Sequence, residues 1–150
     1  MATYDIHFQI VPEDEQESAN GRVFTFGYAS AVGVKGPQKL VNRWIKCLFT
    51  LKGSDPLHPD YGTGFAELIG SNISRQDDFT DAMALFIDDC SKQITALDQK
   101  NFPPDDERLK SAVLSSIVPR GPDGYDVYVT LRNAAGALLT TLLPAGSTRP

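Results

Sequence analysis

Residues 51–69, LKGSDPLHPDYGTGFAELI, place the tightest limit on how this chain can fold. Two prolines, three glycines, two aspartates and one of the chain's two histidines fall within that span. Each proline lacks an N–H and fixes φ, and each glycine opens backbone angles that other residues avoid. The span is therefore neither one helix nor one strand, and the chain has to divide around it. A long, shaped connection of this kind in a compact domain is either a functional loop or a structural joint.

The periodicity on both sides of it is helical. Pro37 suits a first helical turn. Leu40, Val41, Trp44, Ile45, Leu48 and Leu51 then recur at steps of three and four, with Lys39, Asn42, Arg43 and Lys46 mostly off that stripe. Lys52 suits the negative end of this helix, and Gly53 suits the left-handed residue after it. Residues 64–69 predict a short helix that buries Phe65 and Leu68. Ser74 is placed to cap the next helix, with Asp77 and Asp78 near its positive end. Phe79, Met83, Phe86, Ile87, Cys90, Ile94 and Leu97 form the strongest periodic stripe in the chain, and Asp81, Asp88, Asp89 and Lys92 face away from it. A helix over 75–99 is a rod of roughly 35 Å, and its stripe reads as a core face.

Strand patterns lie outside this helical middle. Tyr4, Ile6, Phe8 and Ile10 alternate with Asp5, His7 and Gln9, and Phe24, Phe26 and Tyr28 alternate again after an acidic, turn-rich link. These two runs predict an N-terminal β-hairpin. Residues 101–106, NFPPDD, stop the long helix. Strand-like runs follow at 109–118, 125–132 and 137–143, joined by turn compositions at 119–124 and 133–136. Tyr125, Val127, Val129 and Leu131 alternate strictly with Asp126, Tyr128, Thr130 and Arg132. Short connections favour antiparallel neighbours. The expectation is an α+β fold: a small antiparallel C-terminal sheet with one long and one shorter helix packed on it, plus an N-terminal β-hairpin. The 150 residues form a single domain, with a hairpin arm at 1–30, a core at 37–143 and a loose tail at 144–150.

Composition narrows the function. Apolar residues make up 41% and charged residues 22%, enough for a packed core. The net charge is −5 and Lys and Arg form no dense cluster, which argues against non-specific nucleic-acid binding. No apolar run is long enough to span a bilayer, and the first ten residues lack the basic start and apolar run of a signal peptide. Cys47 and Cys90 sit inside apolar helical patterns and read as two small buried hydrophobes. No catalytic or metal constellation stands out. Asp55, His58 and Asp60, with Ser54 beside them, lie close in sequence, but aspartate next to proline or glycine is a turn former. His7 stands alone on a polar strand face. Glu67 is the best single candidate for a glycosidase acid and lacks a matched partner. Gly62-Thr63-Gly64 is too short for a phosphate-binding loop and follows no predicted strand. No catalytic residue, metal site or cofactor is expected.

The central stretch also carries a resemblance. Phe49, Thr50, Leu51, Lys52 and Gly53, then Pro56, then Pro59, Asp60, Tyr61 and Gly62, then Phe65 and Leu68, resemble the signature of the baseplate wedge family of contractile-tailed phages. These are the historically "lysozyme-like" baseplate proteins, related to a baseplate subunit of type VI secretion systems. The family order of motif, short helix, long helix and C-terminal sheet is matched over 37–143. Where members often carry a Glu-Pro-Arg-like core after the short helix, this chain reads Ile69, Gly70, Ser71, Asn72 and Ile73, so contacts made by that core do not carry over. The N-terminal hairpin looks like an elaboration.

The resemblance implies a structural subunit, not an enzyme, that joins wedge proteins and templates the first sheath ring by strand addition. It implies location in a tail baseplate assembled in the host cytoplasm. Its implied partners are wedge proteins, the tail sheath protein, and hub or tube-end proteins, with no nucleic acid and no membrane. Lys52, Gly53, Pro56, Pro59, Asp60, Tyr61, Gly62 and Leu68 carry the motif. Tyr125, Val127, Tyr128, Val129, Leu131 and Arg132 are the candidates for a partner-facing sheet. A peptidoglycan-cleaving enzyme and a type VI secretion baseplate subunit are the alternatives.

Overall fold

A computed structural model describes residues 35–69, 76–120 and 124–146. The expected N-terminal hairpin, His7 and the Ser74 cap lie outside the described residues.

Helix α1 is Pro37–Phe49. Gly36 precedes it at φ 67°, and its carbonyl accepts the first N–H bonds, from Lys39 and Leu40. Leu40, Val41, Trp44, Ile45 and Leu48 are buried, as their spacing predicts. The helix stops earlier than the stripe suggests. Thr50 turns to extended backbone, and both its N–H and its hydroxyl donate to the Lys46 carbonyl. Leu51 therefore leaves the stripe and is 37% exposed. Gly53 does take positive φ, 85°, but in a turn closed by the Ser54 N–H on the Leu51 carbonyl, not at the helix end. Helix α2, Phe65–Ile69, buries Phe65 fully and Leu68 in part.

Helix α3, Gln76–Asn101, is 26 residues long, roughly 39 Å at ~1.5 Å per residue. Phe79, Met83, Ile87, Cys90 and Ile94 are buried, Phe86 packs at the core margin, and Asp81, Asp88, Asp89 and Lys92 are exposed. The last residue of the buried face is Asp98, one turn beyond Ile94 and 3% exposed. The chain leaves α3 through Phe102 at φ 45°, whose N–H still reaches the Asp98 carbonyl. Pro103 and Pro104 prevent the helix from continuing.

The sheet is an antiparallel meander of β1 (Leu109–Pro119), β2 (Gly124–Asn133) and β3 (Leu138–Gly146), in that spatial order. One face packs on the helices. Val127, Val129 and Leu131 of β2 are fully buried there with Leu143 and Ala145 of β3. Phe79 stacks on Tyr125 with ring centroids 4.9 Å apart. β3 also runs past the expected start of the tail. Pro144 and Ala145 remain in the ladder, opposite Asp126 and Tyr125, and 147–150 lie outside the described residues. The β2–β3 turn is tied by Asn133, fully buried. Its side-chain carbonyl accepts the Ala137 N–H at 2.7 Å and its amide donates to the Asp106 carbonyl at 3.1 Å.

Three elements meet at a buried ionic network. Arg43 of α1 pairs with Asp98 of α3 and also donates to the Glu107 carbonyl. The second Asp98 oxygen accepts the N–H of Leu109, the first residue of β1, at 2.9 Å. Glu107 accepts the Gly36 N–H at 3.1 Å and pairs with Lys39 at 2.8 Å. Removing one member of a buried pair strands the other. Asp98→Ala is expected to lower unfolding stability by about 3–5 kcal/mol, read from urea denaturation.

Glu107 makes stability pH-dependent. Burial pushes its pKa up, but the Lys39 ammonium and the Gly36 N–H outweigh that, with help from Arg43, and leave it below the ordinary carboxylate value of 4.5. A depressed folded pKa stabilises the fold above the unfolded pKa, and this stabilisation is lost as pH falls through the folded value. Denaturant midpoints measured from pH 7 to pH 3 should fall at the acid end, and Glu107→Gln should flatten that part of the profile.

Candidate functional site

The signature stretch is a closed loop with a paired base. The Thr63 N–H donates to the Thr50 carbonyl at 2.8 Å, and the Lys52 N–H donates to the Thr63 carbonyl at 3.2 Å, so that Leu51 and Thr63 form a short parallel bridge. The Thr63 hydroxyl donates to the Leu48 carbonyl at 2.6 Å and accepts the Phe65 N–H at 3.2 Å, joining the end of α1 to the start of α2. Phe49 and Phe65 close the same joint edge-to-face at 5.0 Å.

Gly62 is the tight point. Its φ is 106°, and a Cβ there would lie 2.2 Å from the Thr50 carbonyl oxygen. Only glycine fits, because both the backbone angle and the space exclude a side chain. Gln93 of α3 holds this residue from the other side. Its carboxamide oxygen accepts the Gly62 N–H at 2.8 Å and its amide donates to the Gly62 carbonyl at 2.9 Å. One side chain thus satisfies both backbone groups of Gly62, as a neighbouring strand would.

Tyr61 is half-buried beside Cys47 and Cys90. Burial, and after it those two cysteines, push its hydroxyl above the ordinary phenol value. Asp60 of the motif is exposed, and it is Gln93 that holds the loop at Gly62. The tip is a chain of turns. The His58 N–H donates to the Asp55 carbonyl and the Tyr61 N–H to the His58 carbonyl. The Leu57 N–H on Asp55, then the His58 ring, hold the Asp55 carboxyl below its ordinary value. Lys52, Pro56, Pro59 and Leu57 face solvent.

Asp55 and His58 come together at 3.3 Å, both well exposed, which is the geometry of a surface turn. Glu67 is exposed on α2. Among the described residues no group of three or more His, Cys, Asp or Glu is placed to hold a metal ion, and no helix is long and apolar enough to cross a membrane.

The sheet offers the second feature. β2 is the central strand, so neither of its edges is free. Val127, Val129 and Leu131 are in the core and cannot face a partner. Tyr125 is half-buried on the same helix side, and only Tyr128 and Arg132 lie on the outer face. Their alternation correctly separates two faces, but among the described residues the edges belong to β1 and β3.

Those edges differ. The β1 register breaks between Leu109 and Ser111 and again between Leu114 and Ser116, and the strand ends in Pro119. Bulges and prolines are devices that blunt an edge. β3 pairs without a break from Leu138 to Gly146. The Asn133 N–H bond to the Ala137 carbonyl fixes which pairs are hydrogen-bonded. By the antiparallel alternation, Leu139, Thr141, Leu143 and Ala145 bond to β2, and the backbone groups of Leu138, Thr140 and Leu142 point outward. Pro144 falls on the outward set, where its missing N–H costs the ladder nothing.

No protein-family model matches the chain, and no curated protein matches it.

Sequence periodicity does not reveal Gln93, Asp98 or Glu107, since each is a polar residue working from a buried or half-buried position. Their one sequence signal is place: Gln93 follows Cys90 by one turn, and Asp98 follows Ile94 by one turn. Gly62→Ala should cost about 2–4 kcal/mol, within the range for overpacking and strained backbone, and lower the melting temperature. Gln93→Ala should keep the fold and cost about 1–3 kcal/mol, with faster hydrogen exchange at the Gly62 amide.

Proposed function

We propose that this protein is a non-catalytic structural component of a contractile-tail baseplate, joining wedge proteins and offering β3 as the edge on which a strand of the first sheath ring is added. The observation that carries this reading is the unbroken β3 edge beside a blunted β1 edge. Main-chain bonds to an open edge supply affinity, and alternate side chains supply specificity. The resemblance of the 49–68 motif supplies the biological setting, and the closed loop of that motif supports a joint over an active-site loop. The proposed partners are wedge proteins, the sheath protein, and hub or tube-end proteins, and the proposed location is the virion.

Leu138 is 68% exposed and Leu142 is half-buried, both on the outer face, so the incoming strand is expected to set apolar side chains beside them. Thr140→Pro removes an outward N–H that the β2–β3 ladder does not use. This variant should melt within a few degrees of the parent and lose co-assembly with sheath subunits, scored by electron microscopy of reconstituted baseplates. Normal sheath growth on Thr140→Pro baseplates, or on baseplates lacking the protein, would overturn the reading.

A further inference from the structure

The β3 edge is complementary to itself. No residue of Leu138–Gly146 is charged, so a common device for keeping two strand edges apart is missing. The long helix α3 packs chiefly beneath β1, on the far side of the sheet from that edge. The outward backbone groups of β3 are those of Leu138, Thr140 and Leu142, followed by Pro144. Thr140 stands midway between the two leucines, so the series reads the same in both directions about it. The series also closes before Leu138, because the Gly136 N–H already donates to the Asn133 carbonyl in the turn.

We propose that β3 pairs with β3 of a second copy of this chain, antiparallel about a two-fold axis at Thr140. Thr140 then faces the partner's Thr140, and Leu138 faces the partner's Leu142. Each of these pairs exchanges both N–H···O bonds, as hydrogen-bonded antiparallel pairs do. Pro144 falls opposite the partner's Gly136. The residue without an N–H thus meets the one whose N–H is spent, and the ladder ends there. An axis at Thr141 would set Leu138 against the partner's Pro144 and leave the Leu138 carbonyl without a donor. An axis at Leu139 would set Leu142 against the partner's Gly136 and strand the Leu142 carbonyl in the same way. Either shift carries the cost of an unmade bond.

The side chains agree with this register. Leu138, well exposed in a single copy, packs beside the partner's Leu142, and the two threonines meet at the axis. Two three-stranded sheets join into one continuous sheet, with the helices of both copies on the same side. A contact made by one strand pair belongs to the small, transient class of interfaces. A competing strand can therefore displace it. Under the strand-addition reading, on which this consequence rests and the pairing itself does not, the second copy covers the edge until a sheath strand replaces it.

The test uses the purified full chain without sheath protein. Analytical ultracentrifugation should show monomer on dilution and dimer as the concentration rises towards ~1 mM. In a mixture of isotope-labelled and unlabelled protein, NMR should find the Leu139 Hα against that of the partner's Thr141, the closely spaced pair of this register. Thr140→Pro should abolish the dimer by taking the central N–H from both copies. Thr140→Lys keeps that N–H but sets like charges face to face, and it too should be monomeric, which keeps the test decisive if the proline variant does not fold. Monomer throughout at ~1 mM, a dimer that persists in Thr140→Lys, or Thr141 found against the partner's Thr141 would overturn the proposal. A monomeric result leaves strand addition to sheath untouched, and failed sheath growth leaves the dimer untouched, so the two readings fail separately.

Discussion

The Asp98 carboxylate is the point at which helices and sheet become one structure. One oxygen takes the Arg43 guanidinium from α1, and the other takes the N–H of Leu109, where β1 begins. An acid in a low-dielectric position is unfavourable unless every lone pair is engaged. Here both oxygens are engaged, and each by a different element. The carboxylate therefore fixes the exit of α3 relative to α1 and the entry of the sheet. Hydrophobic burial alone would leave these angles loosely specified, since it is roughly proportional to area and has no direction. Glu107 repeats the device one step later, closing the start of α1 onto the segment before β1.

The second constraint is the path between α1 and α2. Thr50 and Thr63 bring its ends together, and Gln93 reaches across from α3 to hold Gly62. The loop's route is thereby decided by backbone bonds at its base, while its prolines and aspartates shape only the exposed tip. This is why carboxylates and a histidine clustered in sequence do not make a site. They cap turns in solvent, where a charge gains little from its neighbours.

Much of this was legible in the sequence. The stripes from Leu40 to Leu48 and from Phe79 to Ile94 are buried as their period requires, and the alternation at Tyr125 to Arg132 sorts two faces correctly. The failures share a cause. Hydrophobic period carried α1 on to Leu51 because it does not register a threonine that bonds back to Lys46 and ends the helix. It gave no sign of Asp98, Glu107 or Gln93, whose value lies in partners 11 to 71 residues away along the chain. Pro144 suggested the end of the sheet because proline is usually excluded from a ladder, yet its N–H position faces outward and the strand continues. The alternation in β2 marked the strand most deeply buried on one face, and that strand is the central one, which has no edge to offer.

Pro144 also acts as a measuring mark. Leu138, Thr140 and Leu142 present outward donors at even spacing, and the next position in that series has none. A chain laid along β3 meets three matched rungs and then a missing one. Sliding it forward by two residues, the smallest move that keeps its faces sorted, would set one of its carbonyls against the blank rung. The omission thus converts a uniform edge, which would accept a strand at several offsets, into one with a preferred stopping place.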